Sequence, residues 1–118
     1  IALSMPTGLK PTEPAGLSPV GIDRAIELHN LHKQGVLFLD LRPGDEFETG
    51  HIPGAKLFSK GKSQAGEVVV LYGGPAEFNT ALAEGQKLAD SGLKWVFVFL
   101  EGWEGWQAAG LEIEEGSP

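Results

Sequence analysis

The sequence predicts an α/β domain built on a mainly parallel sheet. Three observations carry that reading. Residues 36–41, 67–72 and 95–100 are short, almost wholly apolar runs rich in strand formers, the pattern of strands buried on both faces. Residues 21–33 and 75–90 place their apolar side chains at helical spacing, which gives each stretch one face for a core. The two kinds of segment alternate, as the crossover connections of a parallel sheet require, and those crossovers should be right-handed. A chain of 118 residues, 42% of them hydrophobic, suits one compact domain.

The elements follow in order. Residues 1–16 contain Pro6, Pro11 and Pro14 with Gly8 and Gly16, and read as an extended arm or linker, since proline disfavours helix at the residue before it. The domain proper should span residues 17–113. A first helix lies within 21–33, where Ile22, Ala25, Ile26 and His29 share a face and Gly35 is the stop. The strand at 36–41 follows. Residues 43–49 form a short helix, with proline suited to its first turn and Asp45, Glu46 and Glu48 near the positive end of its dipole. Gly50 ends it, 55–58 is a brief strand, and 59–66 is a small polar loop.

The strand at 67–72 is broken by Gly73-Gly74, and Pro75 starts a helix reaching about Asp90. Gly85 sits inside the apolar face of that helix, where it costs about 1 kcal/mol against alanine; the return expected is close approach to the sheet. Gly92 caps the end, 95–100 is the third strong strand, and 102–109 a last short helix. Residues 114–118 read as a structureless tail.

Composition excludes several functions. The net charge is −7, and the nine Lys and Arg are scattered without a cluster, so a nucleic-acid partner is not expected. No apolar run approaches the roughly 18 residues that span a bilayer, so this segment should not insert into a membrane. The chain has no cysteine. Disulfides, thiolate metal sites and thiol catalysis are therefore absent from its chemistry. With Ile1 at its start the chain reads as a processed product or a piece of a longer polypeptide, and no signal peptide is visible in it.

One motif is specific. Residues 39–55 carry Asp40-x-Arg42 and then Gly50-His51-Ile52-Pro53-Gly54-Ala55. With the 67–72 strand and the segment 96–111, which ends Trp106-Gln107-Ala108-Ala109-Gly110-Leu111, this resembles the rhodanese-like domains over residues 17–113. The resemblance implies a three-layer α/β/α domain with helices on both faces of the central sheet. In that family a cysteine directly follows the second strong strand, and a loop of inward backbone N–H groups at the next helix start surrounds it. Such a loop is an anion cradle that lowers a thiol's pKa and lets the thiolate accept sulfur.

Here the matching position is Gly73, and the loop reads Gly73, Gly74, Pro75, Ala76, Glu77, Phe78 and Asn79. It is similar to a longer loop variant with a second cysteine, which would fall at Phe78. That variant points to an exported, periplasmic or membrane-tethered setting, although the compartment is not fixed by the sequence. Active relatives place basic or polar donors in this loop; this chain offers Glu77 and Phe78. Where the family has a Gly-Gly pair after the third strong strand, this chain has Glu101-Gly102. At about 5 Å and an effective dielectric near 20, each such carboxylate opposes a bound anion by roughly 3 kcal/mol.

The remaining candidates weigh toward structure. Asp40 and Arg42 follow a strand's carboxyl end, where α/β sheets bind ligands, so both are expected to line a pocket together with Glu101, Gly102 and Trp103; Asp40 is equally well read as a structural hydrogen-bonding residue. His51 could be a general base, but a buried turn histidine bonded to backbone is the commoner arrangement. His29 and His32 could ligate a metal, but no third ligand is evident, and no metal or cofactor is expected. Glu101 with Glu104, or Asp45 with Glu46, could act as acid–base pairs, though such pairs usually sit on solvated helix faces. Trp106 matches a core position, while Trp103 is expected at the surface beside Phe78, where exposed aromatics around a depression suit a contact site.

The expected function is that of a non-catalytic domain acting as a protein-interaction or regulatory module toward an unidentified protein partner or adjoining domain. The alternatives are a sulfurtransferase or persulfide carrier, if Gly73 replaces a native cysteine, and a small-anion binder at the 73–79 loop.

Overall fold

The structure, a computed structural model, describes residues 16–33, 35–58, 68–93 and 95–116. Residues 1–15 of the expected arm, the loop at 59–66 and Glu67, expected to open the 67–72 strand, lie outside the described residues. Five parallel strands stand in the order β1-β5-β4-β2-β3: β1 Gly16–Val20, β2 Val36–Asp40, β3 Lys56–Leu57, β4 Val68–Tyr72 and β5 Trp95–Phe99. The helices are α1 Ile22–His29, α2 Gly44–Thr49, α3 Phe78–Asp90 and α4 Gly102–Ala108. All five residues of β4 are buried, which is why its sequence shows no polar alternation. Val68, Val70 and Tyr72 face one core, with Ala25 and Leu28 of α1, Phe47 of α2 and Trp106 of α4. Val69 and Leu71 face the other, where Leu88 and Ala89 of α3 pack. Helices on both faces give the three-layer architecture.

The apolar runs form strands where expected, with small shifts at their ends. One strand was not anticipated. Gly16, read as the last residue of the arm, opens β1, which pairs with β5 from Gly16 opposite Trp95 to Val20 opposite Phe99. Pro19 hides it in the sequence, because proline cannot donate to a ladder. On an edge strand that loss costs little, and Pro19 is exposed there.

Gly85 behaves as its position in the apolar face of α3 implies. A Cβ there would sit 3.0 Å from Leu17 Cδ1 and 3.3 Å from Val98 Cγ2, so the missing methyl lets α3 settle onto β1 and β5. The tail is not structureless at Glu114: its N–H donates to the His51 carbonyl at 2.9 Å, and the His51 N–H donates back at 2.8 Å. This antiparallel bridge ties the chain beyond α4 to the 50–55 segment.

Candidate functional site

The carboxyl ends of β2, β4 and β5 meet at one end of the sheet. β4 ends at Tyr72, and Gly73 follows it, buried. Pro75–Glu77 make one 3₁₀ turn, with proline at the first position, before α3 begins at Phe78. Glu77 folds back over this turn. Its Oε1 accepts the Gly74 N–H at 2.9 Å, and its own N–H donates to the Gly74 carbonyl at 3.0 Å. A Cβ on Gly73 would lie 2.7 Å from Glu77 Cβ and 3.4 Å from its Cγ. The stem of Glu77 thus takes the volume that a side chain at 73 would need. Of the first amides of the loop, that of Gly74 is spent on this carboxylate, Pro75 has none, and that of Glu77 closes the turn.

Beneath the loop lies a buried polar network. Asp40 is wholly buried, and its carboxylate accepts the Arg42 backbone N–H at 2.8 Å and the Arg42 Nη2 at 2.8 Å, with Nε at 3.2 Å from both oxygens. Nη2 also donates to the Gly50 carbonyl. The Tyr72 hydroxyl accepts the Ile52 N–H at 3.1 Å and is hydrogen-bonded to Asp40. Burial, then the Asp40 charge, pushes the Tyr72 hydroxyl far above its ordinary pKa, so it stays a neutral donor. Asp40 therefore lies under the cavity wall with its oxygens engaged, and of the pair only Arg42 reaches the lining. The guanidinium carbon stacks 4.5 Å from the centre of the Trp103 ring.

Two depressions flank α4. One, of about 390 Å³, is lined by Gly73, Gly74, Pro75, Phe78, Leu100, Glu101 and Glu104. The other, of about 410 Å³, is lined by Arg42, Asp45, Glu46, Thr49, Gly50, Trp103, Gln107 and Ile113. The expected pocket group is thus split: Glu101 belongs to the first, Arg42 and Trp103 to the second, and Gly102 is buried between them. Trp103 does not stand beside Phe78. Its backbone N–H donates to the Gly73 carbonyl at 3.0 Å, but its ring turns away over Arg42 and Gly50. Ala76 and Asn79 line neither depression. Glu101 accepts the Ile22 N–H at 3.3 Å and so serves the start of α1.

The histidines hold the 50–55 segment. His51 is buried with its ring stacked on Phe47 at 3.7 Å; Nδ1 lies 2.7 Å from the Phe47 carbonyl oxygen and Nε2 3.1 Å from Glu114 Oε1. Glu114, which no local sequence pattern singles out, also accepts the Gly54 N–H at 3.0 Å. The Gly54 amide first, and then His51, hold the Glu114 carboxyl below the usual carboxylate range. His29 Nε2 is 2.8 Å from the Pro53 carbonyl oxygen, and its ring stacks on His32 at 4.4 Å. Among the described residues no group of three or more His, Cys, Asp or Glu could hold a metal.

Burial lowers the His29 pKa most, the Pro53 hydrogen bond opposes that, and the His32 charge lowers it further. The folded state therefore binds this proton less readily than the unfolded chain, where histidine titrates near about 6.5. The His29 contribution is complete above that pH and is lost as the pH falls from it toward the lower folded value. Urea midpoints should drop between about pH 7 and pH 5. His29→Gln should flatten that part of the profile; an unchanged slope in the variant would assign the effect elsewhere.

Comparisons place the chain among known proteins. A family model described as Rhodanese-like domain matches residues 25–109. A Bacillus halodurans protein of solved structure is 24% identical, with a TM-score of 0.66, over 82% of this chain and 76% of its own. A Rhodanese_3-like domain from Anabaena is 22% identical, with a TM-score of 0.54, over 70% of this chain and 95% of its own. The 3-mercaptopyruvate sulfotransferase SseA of Escherichia coli is 22% identical, with a TM-score of 0.59; this chain is covered over 85%, the enzyme over 52%. These likenesses show the fold. No curated protein sequence matches the chain. Among the described residues no helix is long and apolar enough to cross a membrane.

Proposed function

The chain belongs to the rhodanese-like domain family, and from that premise we propose that it is a non-catalytic member acting as a protein-interaction or regulatory module. One observation carries the proposal: Glu77 fills the space that a side chain at Gly73 would occupy and takes the Gly74 amide for its own carboxylate. A lost cysteine alone could be a single replacement on an otherwise intact site. Here the neighbouring residue has moved into the gap and set a negative charge where an anionic sulfur donor would sit, with Glu101 close by. The same contact weighs against the small-anion reading of the loop.

The native chain should turn over no thiosulfate with cyanide; a rate above the uncatalysed background would sink the proposal. Gly73→Cys should stay inactive, because its Cβ meets Glu77 and the nearby carboxylate raises the thiol pKa. Iodoacetamide should label Gly73→Cys/Glu77→Ala about tenfold faster than Gly73→Cys, one pK unit of thiolate. Equal labelling rates would mean that Glu77 does not govern the position.

A further inference from the structure

The three exposed large hydrophobic side chains among the described residues are Phe78 at 41%, Leu100 at 42% and Ile113 at 45%. All three line the depressions that flank α4, Phe78 and Leu100 in one and Ile113 in the other. Apolar side chains exposed singly are ordinary, but their concentration at two adjoining concavities marks a contact surface. The charge around them has one sign. Glu101 and Glu104 line the first depression, Asp45 and Glu46 the second. The cation among these linings is Arg42, and Asp40 already neutralises it at 2.8 Å. Trp103, whose ring already carries the Arg42 guanidinium at 4.5 Å, walls this depression beside Asp45 and Glu46, and it is those two carboxylates that suit an ammonium or guanidinium group.

We propose that this face binds an extended basic peptide segment, with an apolar side chain in the Phe78–Leu100 depression and a lysine or arginine in the depression walled by Trp103. The inference rests on the reading of the domain as an interaction module and names the chemistry of its partner. Glu101, just before α4, and Glu104 lie on one flank of the helix, Trp103 and Gln107 on the other, so the segment crosses it. A helix is about 10 Å across, and an extended polyproline-II chain advances about 3.1 Å per residue with three residues per turn, so side chains three apart point to the same side. The two anchors should therefore stand three residues apart.

The probe is the synthetic peptide Lys-Ser-Ser-Leu-Ser-Ser-Lys, which offers that spacing in both directions, titrated into the full chain at low salt with amide NMR as the readout. The proposal expects saturable shifts at Gly74, Phe78, Leu100 and Trp103. Replacing the leucine by serine, or both lysines by glutamate, should weaken binding about tenfold or more, and raising the salt should weaken it several-fold. Glu104→Lys, and Asp45→Lys with Glu46→Lys, change exposed side chains and should each weaken it without loss of the folded spectrum. Absence of saturable shifts, shifts confined to another face, or equal binding of the glutamate peptide would overturn it. The two readings fail separately: thiosulfate turnover removes the non-catalytic assignment, whereas an inactive domain that ignores the lysine peptide removes only the partner chemistry.

Discussion

Asp40→Ala should cost this domain about 3–5 kcal/mol, the penalty for leaving a buried charge without its partner. Arg42 is only 6% exposed and gives three of its donors to the Asp40 carboxylate, which also engages the Tyr72 hydroxyl. Alanine strands the guanidinium against the ring of Trp103 and leaves a buried Tyr72 hydroxyl short of an acceptor. Natural domains hold only about 5–15 kcal/mol in total, so the variant should sit near its unfolding threshold at room temperature. Urea unfolding followed by tryptophan fluorescence measures it. Asp40→Ala with Arg42→Ala should lose less than the sum of the two single changes, because the second removes the orphaned charge. Additive losses would mean that the fork is not the unit of stability.

Gly102→Ala should cost about 3 kcal/mol, from two causes that coincide at one residue. Gly102 has φ +60°, a left-handed conformation that charges any residue with a Cβ about 1–2 kcal/mol. The added Cβ would also fall 2.1 Å from the Gly73 carbonyl oxygen, so backbone must move rather than a flexible side chain. That movement breaks the Trp103 N–H to Gly73 bond of 3.0 Å, which joins α4 to the loop. The same measurement applies, with a second readout at the site: the Gly74 and Trp103 amide resonances should shift even under conditions where the variant stays folded. A variant with native stability and native resonances would show that the close approach of 73 and 102 does not hold the loop.

These two residues mark where a sequence stops being legible. Asp40 and Arg42 are conspicuous as a pair, and the spacing of two leaves open whether they face a ligand or each other. Their burial decides, since a carboxylate with its oxygens engaged beneath the wall has nothing to offer a substrate. Gly102 stands out only against a family pattern; its need for glycine comes from Gly73, twenty-nine positions earlier. Trp103 follows the same rule. Its place near the loop was readable, but Arg42 and Gly50 set the direction of its ring and moved it to the other side of α4 from Phe78. Glu77 could be seen to be the wrong charge for an anion site, whereas its occupation of the space beside Gly73 depends on a single 3₁₀ turn.

The architecture is legible in the chain alone. Strands buried on both faces must be apolar throughout, helices against a sheet must be apolar on one face, and both constraints are local enough to be written in runs of five to thirteen residues. The absence of cysteine, equally a property of the chain alone, removed the thiol. The arrangement at the ends of the strands belongs to the tertiary structure: which carboxylate lies beside Gly73, which charges cancel, and which apolar side chains stay exposed. Glu77 beside Gly73 and Arg42 on Asp40 are near neighbours in the chain, but what surrounds them is not: the Gly73 carbonyl against Gly102 and the Trp103 ring over Arg42 join distant segments where β2, β4 and β5 end together. The energy of such contacts depends on distances of a few ångströms that no local pattern records.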